Sequence, residues 1–335
     1  MSRTPRGVAL LPDSLKSPEV RLVVNAGHRQ ARRLDDVITD PLPPDPTLDE
    51  ISALAASTAA VNAVWLTGGE PTLRADLPQM VEILRSRTTG TVGLSTDGLA
   101  LDTLAAVKPL RKAGLDRVRI ALHSAEPHAH DWLVRQPGAA RRALRALRVC
   151  ADAGLAVEIE ATLTRPTLPG LAHLCELAGH LNVAALHLRR LVARGPAAEW
   201  FLGLSPRFAL IEASWEEVAK VALRRRLPLA IHGLPRCAAR LLDPCRVFPN
   251  MVRWILPAGT SWQAFAASLE EPSAPQRCPS CPGAPTCPGA PADYVQHFGM
   301  GELASEDQET VEPIVPWTEA ERHDTAVPLS LIHIS

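Results

Sequence analysis

The 335-residue chain has no cysteine before Cys150, and it has no marked excess of either charge. Its net charge is −1 and its isoelectric point is near 6.8, so the basic stripe that usually marks a nucleic-acid partner is missing. No charged stretch followed by an apolar run opens the chain, and no apolar run is long enough to span a bilayer. The expectation is a cytoplasmic protein with neither a nucleic-acid nor a membrane partner. Lysine is confined to Lys16, Lys108, Lys112 and Lys220. The arginine, alanine and proline bias follows from GC-rich coding DNA and needs no functional cause. No repeat of fixed length appears.

What is present is a chain large enough for one α/β domain and an appendage, with 46% hydrophobic residues to build a core. From Val20 to Gly195 short apolar runs alternate with amphipathic segments, the pattern of repeated βα units around a parallel sheet. Strands are predicted at Val20–Val24, Ala63–Leu66, Thr91–Ser95, Val118–Leu122, Ala156–Leu163 and Ala184–Leu188. A helix around Ser214–Arg224 and a strand around Leu227–Ile231 make a further unit. Thr47 with Glu50 matches a capping box, Asp76 with Gln79 imitates one, and Gly114 and Gly154 sit where helices should stop. After His232 the texture turns Pro-rich and Cys-rich. The expected division is a tail at 1–15, a barrel at 16–232, a Cys-rich extension at 233–303 and a polar tail at 304–328. The last stretch, 329–335, resembles the translation of a sequencing-library adapter, in which case the natural C-terminus is missing.

The most informative local sequence is Trp65-Leu-Thr-Gly68-Gly69-Glu70-Pro71-Thr72, where a buried strand gives way to a loop. Ligand sites of parallel α/β proteins lie at such strand ends. Two glycines let backbone groups approach a small molecule, and a carboxylate accepts hydrogen bonds from an ammonium group. A tight turn with a helix-start carboxylate has the same residues.

In context, Gly68-Gly69-Glu70-Pro71 resembles the motif with which radical S-adenosylmethionine (SAM) proteins bind the amino group of SAM. Ser95-Thr96-Asp97-Gly98 is similar to that superfamily's Thr-Asn-Gly turn, with Asp97 in place of Asn. Ile120-Ala-Leu-His123-Ser124, followed by His130-Asp131 and Gly138, is similar to its Ser-Leu and His-Asp stretch, with Ala121 at the usual serine position. The resemblance covers residues 20 to 195. It implies a partial (β/α)6-type radical SAM barrel with a small Cys-rich C-terminal metal-binding extension. It also implies SAM, or a relic of its site, at Gly68, Gly69, Glu70, Pro71, Thr96, Asp97 and Ser124.

The same family places a C-x3-C-x2-C loop after its first strand, holding a 4Fe-4S cluster with one open iron. Here that loop reads Val24-Asn25-Ala-Gly-His28-Arg29-Gln-Ala-Arg32-Arg33, with Asn25, Arg29 and Arg32 at the cysteine spacing. Guanidinium groups have no lone pair for iron, and His28 is one donor where three are needed. SAM cleavage of the family's kind is therefore not expected.

Seven cysteines in a cytosolic chain point to metal rather than disulfides. Cys150 shares a helical face with Ala140, Leu144 and Leu147, and Cys175 with Leu171 and Ala178, so both are read as structural. Cys237, Cys245, Cys278, Cys281 and Cys287 lie in a stretch of low apolar content that needs a metal to become ordered. Four thiolates suit zinc or an iron–sulfur cluster alike. Cys278-Pro-Ser-Cys281, Cys287-Pro-Gly289 and Phe298-Gly-Met-Gly-Glu-Leu303 resemble the auxiliary-cluster extension of radical SAM maturases. That resemblance implies a 4Fe-4S cluster on Cys237, Cys278, Cys281 and Cys287, with Cys245 as a substitute for Cys237. Three functions fit. The first is a radical SAM-like protein of the peptide- or metabolite-modifying branch with an auxiliary cluster. The second is a non-catalytic scaffold for a peptide or partner, stabilised by a structural metal. The third is a zinc-stabilised barrel enzyme using His123, His130 and Asp131 as acid/base groups. Arg189 and Arg190 are placed to meet an anion inside the barrel or to form ordinary ion pairs.

Overall fold

The computed structural model describes residues 19–25, 44–58, 61–193, 196–235, 237–239, 246–247, 252–256, 287 and 289–303. Seven strands, β1 (Glu19–Asn25), β2 (Ala63–Gly68), β3 (Thr91–Thr96), β4 (Arg117–Ala121), β5 (Ala156–Leu163), β6 (Ala185–Arg190) and β7 (Leu229–His232), lie side by side in chain order. Every pairing is parallel, and the sheet curls into a half-barrel. Two later strands complete the sheet, β8 (Arg246–Val247) beside β7 and β9 (Val252–Ile255) beside β1. Neither was expected from a stretch of weak periodicity. β8 is two residues long and β9 pairs with the opposite edge, so local pattern carries almost no trace of either.

Alternation along the strands divides the sheet into two chemically different faces. Leu22, Val64, Leu66, Val92, Leu94, Val118, Ile120, Ile159, Leu186, Leu188 and Ile231 turn toward the helices and join one core with Met80, Leu84, Leu147, Leu174 and Trp215. Cys150 and Cys175 are wholly buried in that core, and burial pushes the Cys150 thiol up to about 12. The other face is the concave one and is treated below.

Helix ends follow local chemistry where local chemistry is present. Thr47 and Glu50 form the reciprocal capping box, with the Glu50 N–H donating to Thr47 Oγ1 and the Thr47 N–H to Glu50 Oε2. Gly114 and Gly154 end their helices at φ +103° and +80°. Asp76 departs from expectation. It makes no cap hydrogen bond because its carboxylate is held by Arg74 Nε and Nη2, at 2.9 and 2.7 Å. The Arg74 Nη1 group also donates to Val24 O at the end of β1 and to Pro46 O ahead of the helix Leu48–Ala55.

The long helix before β7 runs Phe208–Arg225 and so begins earlier than its sequence pattern predicts. Its first N–H is satisfied from a distance, donating to Tyr294 Oη at 2.9 Å and Glu302 Oε2 at 3.0 Å. Caps supplied by residues so far along the chain leave no mark beside the helix itself. A helix at Ala292–Phe298 carries Tyr294, whose ring stacks on Phe208 at 3.7 Å between centroids.

Candidate functional site

The loops at the C-terminal ends of β2, β3 and β4 hold the residues singled out from sequence. Gly68 closes β2 at φ +132°, a conformation that side chains disfavour, and Gly68 and Gly69 are half-buried. Glu70 is buried, and its carboxylate joins two neighbouring loops. Oε1 accepts from the Thr72 N–H, from Thr72 Oγ1 and from Thr96 Oγ1, and Oε2 accepts from the Asp97 N–H at 2.8 Å. Thr96 Oγ1 accepts in turn from the Gly98 N–H, and Asp97 Oδ1 from the Leu99 N–H. Gly98 lies at φ +78°, where a Cβ would stand 2.9 Å from Ile120 Cγ2. Glu70, Thr72, Thr96 and Asp97 are thus one connected unit, and the family resemblance had assigned Glu70 only to a ligand. Ser124 is buried at the end of the next strand, where its Oγ accepts from the Glu126 N–H.

The three acid/base candidates are occupied by backbone. His130 Nδ1 accepts from the His123 N–H at 3.0 Å, and His123 Nδ1 accepts from the Thr162 N–H at 3.1 Å. Asp131 accepts from Gly138 N–H and Ala140 N–H, which fastens the start of the helix Ala139–Asp152. Burial drives the His130 pKa down to about 3, the neighbouring His123 adds to this, and Asp131 opposes it. His130 is therefore a neutral structural group. Its ring protons in NMR are expected to hold constant shifts from pH 8 to about pH 5. A midpoint near 6.5 would return it to the acid/base candidates.

The concave face carries what sequence reading largely missed. Successive inward positions hold Arg21, Trp65, Arg117, Arg119, Glu158, Glu160, His187, Arg189 and His232, and all but Arg189 are buried. Glu158 takes Arg117 on Oε1 at 2.5 Å, and Arg119 and His187 on Oε2 at 2.9 and 2.8 Å. Burial pushes the Glu158 carboxyl up, but the combined charges of Arg119, His187 and Arg117 outweigh it and hold the group at about 2. His187 Nδ1 lies 3.0 Å from His232 Nε2. Gly93 leaves room for the Trp65 indole, since a Cβ there would stand 2.5 Å from the ring, and the Arg119 guanidinium lies 4.0 Å from that ring's centroid. The signal was the period-two alternation of charge in Arg117-Val-Arg119 and Glu158-Ile-Glu160.

Arg189 and Arg190 part company. Arg189 faces inward, 3.6 Å from Glu160. Arg190 faces the other way and holds the C-terminal segment, donating to Asp293 Oδ2 at 2.8 Å and to Gly233 O. Of the metal candidates, Cys237 sits half-buried on a short turn whose Ala238 O accepts from Trp215 Nε1. Cys287 is half-buried, and its Sγ accepts from the Gly289 N–H at 3.5 Å. Cys245, Cys278 and Cys281 lie outside the described residues, as does the loop at 26–43 with His28, Arg29 and Arg32.

The parallel half-barrel thus carries glycine-bearing loops at its strand ends, where ligands of such sheets sit, and a polar concave face. The chain carries a radical SAM domain, for residues 30–173 match the Radical SAM superfamily model. It is 29% identical over 202 residues to the AdoMet-dependent heme synthase of Oleidesulfovibrio alaskensis, covering 60% of this chain and 50% of that one. The crystal structure of methylornithine synthase superposes with a TM-score of 0.55 at 14% identity, over 73% of this chain and 74% of that one. Streptococcus suis SuiB bound to precursor peptide SuiA gives 0.53 at 13% identity, over 65% and 49%. The chain spans about half the length of the curated relatives it matches.

The family implies an iron–sulfur cluster and SAM. The donors present do not fit the cluster that cleaves SAM. Asn25, Arg29 and Arg32 replace thiolates, and Cys150 and Cys175 lie in the core between sheet and helices. Among the described residues no helix is long and apolar enough to cross a membrane.

Proposed function

We propose that this chain is a radical SAM superfamily protein that retains a SAM-binding pocket, carries an auxiliary 4Fe-4S cluster and does not itself cleave SAM. Its carrying observation is the Glu70 carboxylate, which ties the β2 loop to Thr96 and Asp97 of the β3 loop and keeps both loops at one end of the sheet. In this reading Gly68, Gly69, Glu70 and Pro71, with Thr96, Asp97 and Ser124, line the pocket. The auxiliary cluster is assigned to Cys237, Cys278, Cys281 and Cys287, with Cys245 as the substitute ligand. Of these ligands, Cys237 adjoins Ala238, whose carbonyl accepts from Trp215 Nε1, and Cys287 precedes the helix of Tyr294, whose Oη accepts from the Phe208 N–H. Residues 16–232 are the barrel in this scheme and 233–303 the extension. The folds of methylornithine synthase and of peptide-bound SuiB suit a substrate that is a small metabolite or a peptide.

The test is anaerobic purification and reconstitution followed by iron, sulfide and zinc analysis, then calorimetric titration with SAM. About four irons per chain are expected, with saturable SAM binding that a Glu70→Ala variant weakens. One zinc and no iron would favour a structural metal, and absence of SAM binding would leave the scaffold reading, in which the barrel presents a peptide or partner. A zinc-dependent acid/base enzyme is the least supported, because His130 and Asp131 already serve the backbone.

A further inference from the structure

Three guanidinium groups converge on one oxygen inside the barrel. Arg21 from β1 and Arg119 from β4 each lie 3.9 Å from Glu160 Oε2, and Arg189 from β6 lies 3.6 Å from it. All three distances are ion-pair distances beyond hydrogen-bond reach. The second carboxylate of this face, Glu158, is engaged at 2.5 to 3.0 Å by Arg117, Arg119 and His187. Four arginines, Arg21, Arg117, Arg119 and Arg189, thus face two glutamates on the described strands. Asp97, at the mouth, has one carboxylate oxygen on the Leu99 N–H.

An interior that served packing alone would be filled with branched apolar side chains, as closed parallel barrels are. Buried ion pairs stabilise poorly against apolar residues of the same size, so a charged interior points to a use beyond packing. Exposure across the cluster has a direction. Arg21, Arg119 and Glu160 are 8%, 3% and 11% exposed, while Arg189, near the C-terminal end of β6, is 18% exposed. Arg189 Nη1 is nevertheless buried and makes no hydrogen bond among the described residues. It is the cation of the group that stands nearest the end where ligands of such sheets enter.

We propose that the lumen binds an oxyanion of a small-molecule substrate, a carboxylate or a phosphate, with Arg189 as its primary partner and Arg21 and Arg119 behind it. The inference rests on the reading of the barrel as a ligand-binding one and names the chemistry of what it takes. It does not need SAM, so its test is separate from that of SAM binding.

The experiment is calorimetric titration of the full chain as reconstituted anaerobically with its metal, without SAM, using inorganic pyrophosphate and citrate as probes at low and high salt. One saturable site per chain is expected, with affinity falling as salt is added. Arg189→Ala should weaken it about tenfold or more, while Arg189→Lys, which keeps the charge and loses the planar fork, should fall between. Arg145→Ala on the exposed side of its helix should change nothing. Preference between the two probes tells phosphate from carboxylate. If Arg189→Ala fails to fold, the Arg189→Lys titration decides, and affinity equal to the unmodified chain overturns the proposal. Binding of neither probe also overturns it, as does displacement of the probe by SAM, which would put the anion in the cofactor's place.

Discussion

Supplied anaerobically with iron, sulfide, dithionite and SAM, the chain is expected to release no 5′-deoxyadenosine above the level of its Glu70→Ala variant. Reductive cleavage needs an iron with an open coordination position, which a cluster held by three thiolates provides. The positions at that spacing after β1 are Asn25, Arg29 and Arg32. A guanidinium offers iron no lone pair at any accessible pH. The first two cysteines of the chain cannot stand in. Cys150 and Cys175 are wholly buried on the helix side of the sheet, and burial keeps the Cys150 thiol protonated. The expected loss is complete rather than partial. Liquid chromatography of the quenched reaction reads it directly, and about eight irons per chain with release of the nucleoside would sink the prediction.

A Glu158→Ala substitution is expected to destabilise the fold by about 3 to 5 kcal/mol, because it removes the buried carboxylate that Arg117, Arg119 and His187 share. Glu158→Gln keeps the volume and removes the charge. The folded carboxyl titrates at about 2 against an ordinary 4.5, so the ionised form belongs to the folded state. Its contribution, about 3 kcal/mol, is fully present above pH 5 and declines as the pH falls from 4.5 through 2. Urea unfolding at pH 7 and pH 3 checks this. The gap between the unmodified chain and Glu158→Gln should shrink by more than half at pH 3, and an unchanged gap would show that Glu158 is not held ionised by its arginines.

Legibility differed from element to element for physical reasons. The seven principal strands and the capping box at Thr47 and Glu50 were readable because apolar runs and caps are local. The start of the helix at Phe208 was not, since its cap comes from Tyr294 and Glu302. Asp76 was misread because Arg74, two residues before it, competes for the carboxylate that would have capped the helix. At the candidate site, Glu70, Thr96 and Asp97 were found separately by motif, but that one carboxylate binds the other two is a tertiary fact. The charged interior was half-legible. Arg189 was flagged, while Arg119, Glu158 and His187 were absorbed into strands read only for their apolar partners.

Arg74 joins two parts of the chain that lie far apart in sequence. By donating to Val24 O on one side and Pro46 O on the other, it pins the two described flanks of the segment where the superfamily keeps its cysteines. A span whose two ends are fastened from outside does not have to fasten itself, because little closure entropy is left for its own residues to offset. Thiolates are then needed there for chemistry and not for architecture.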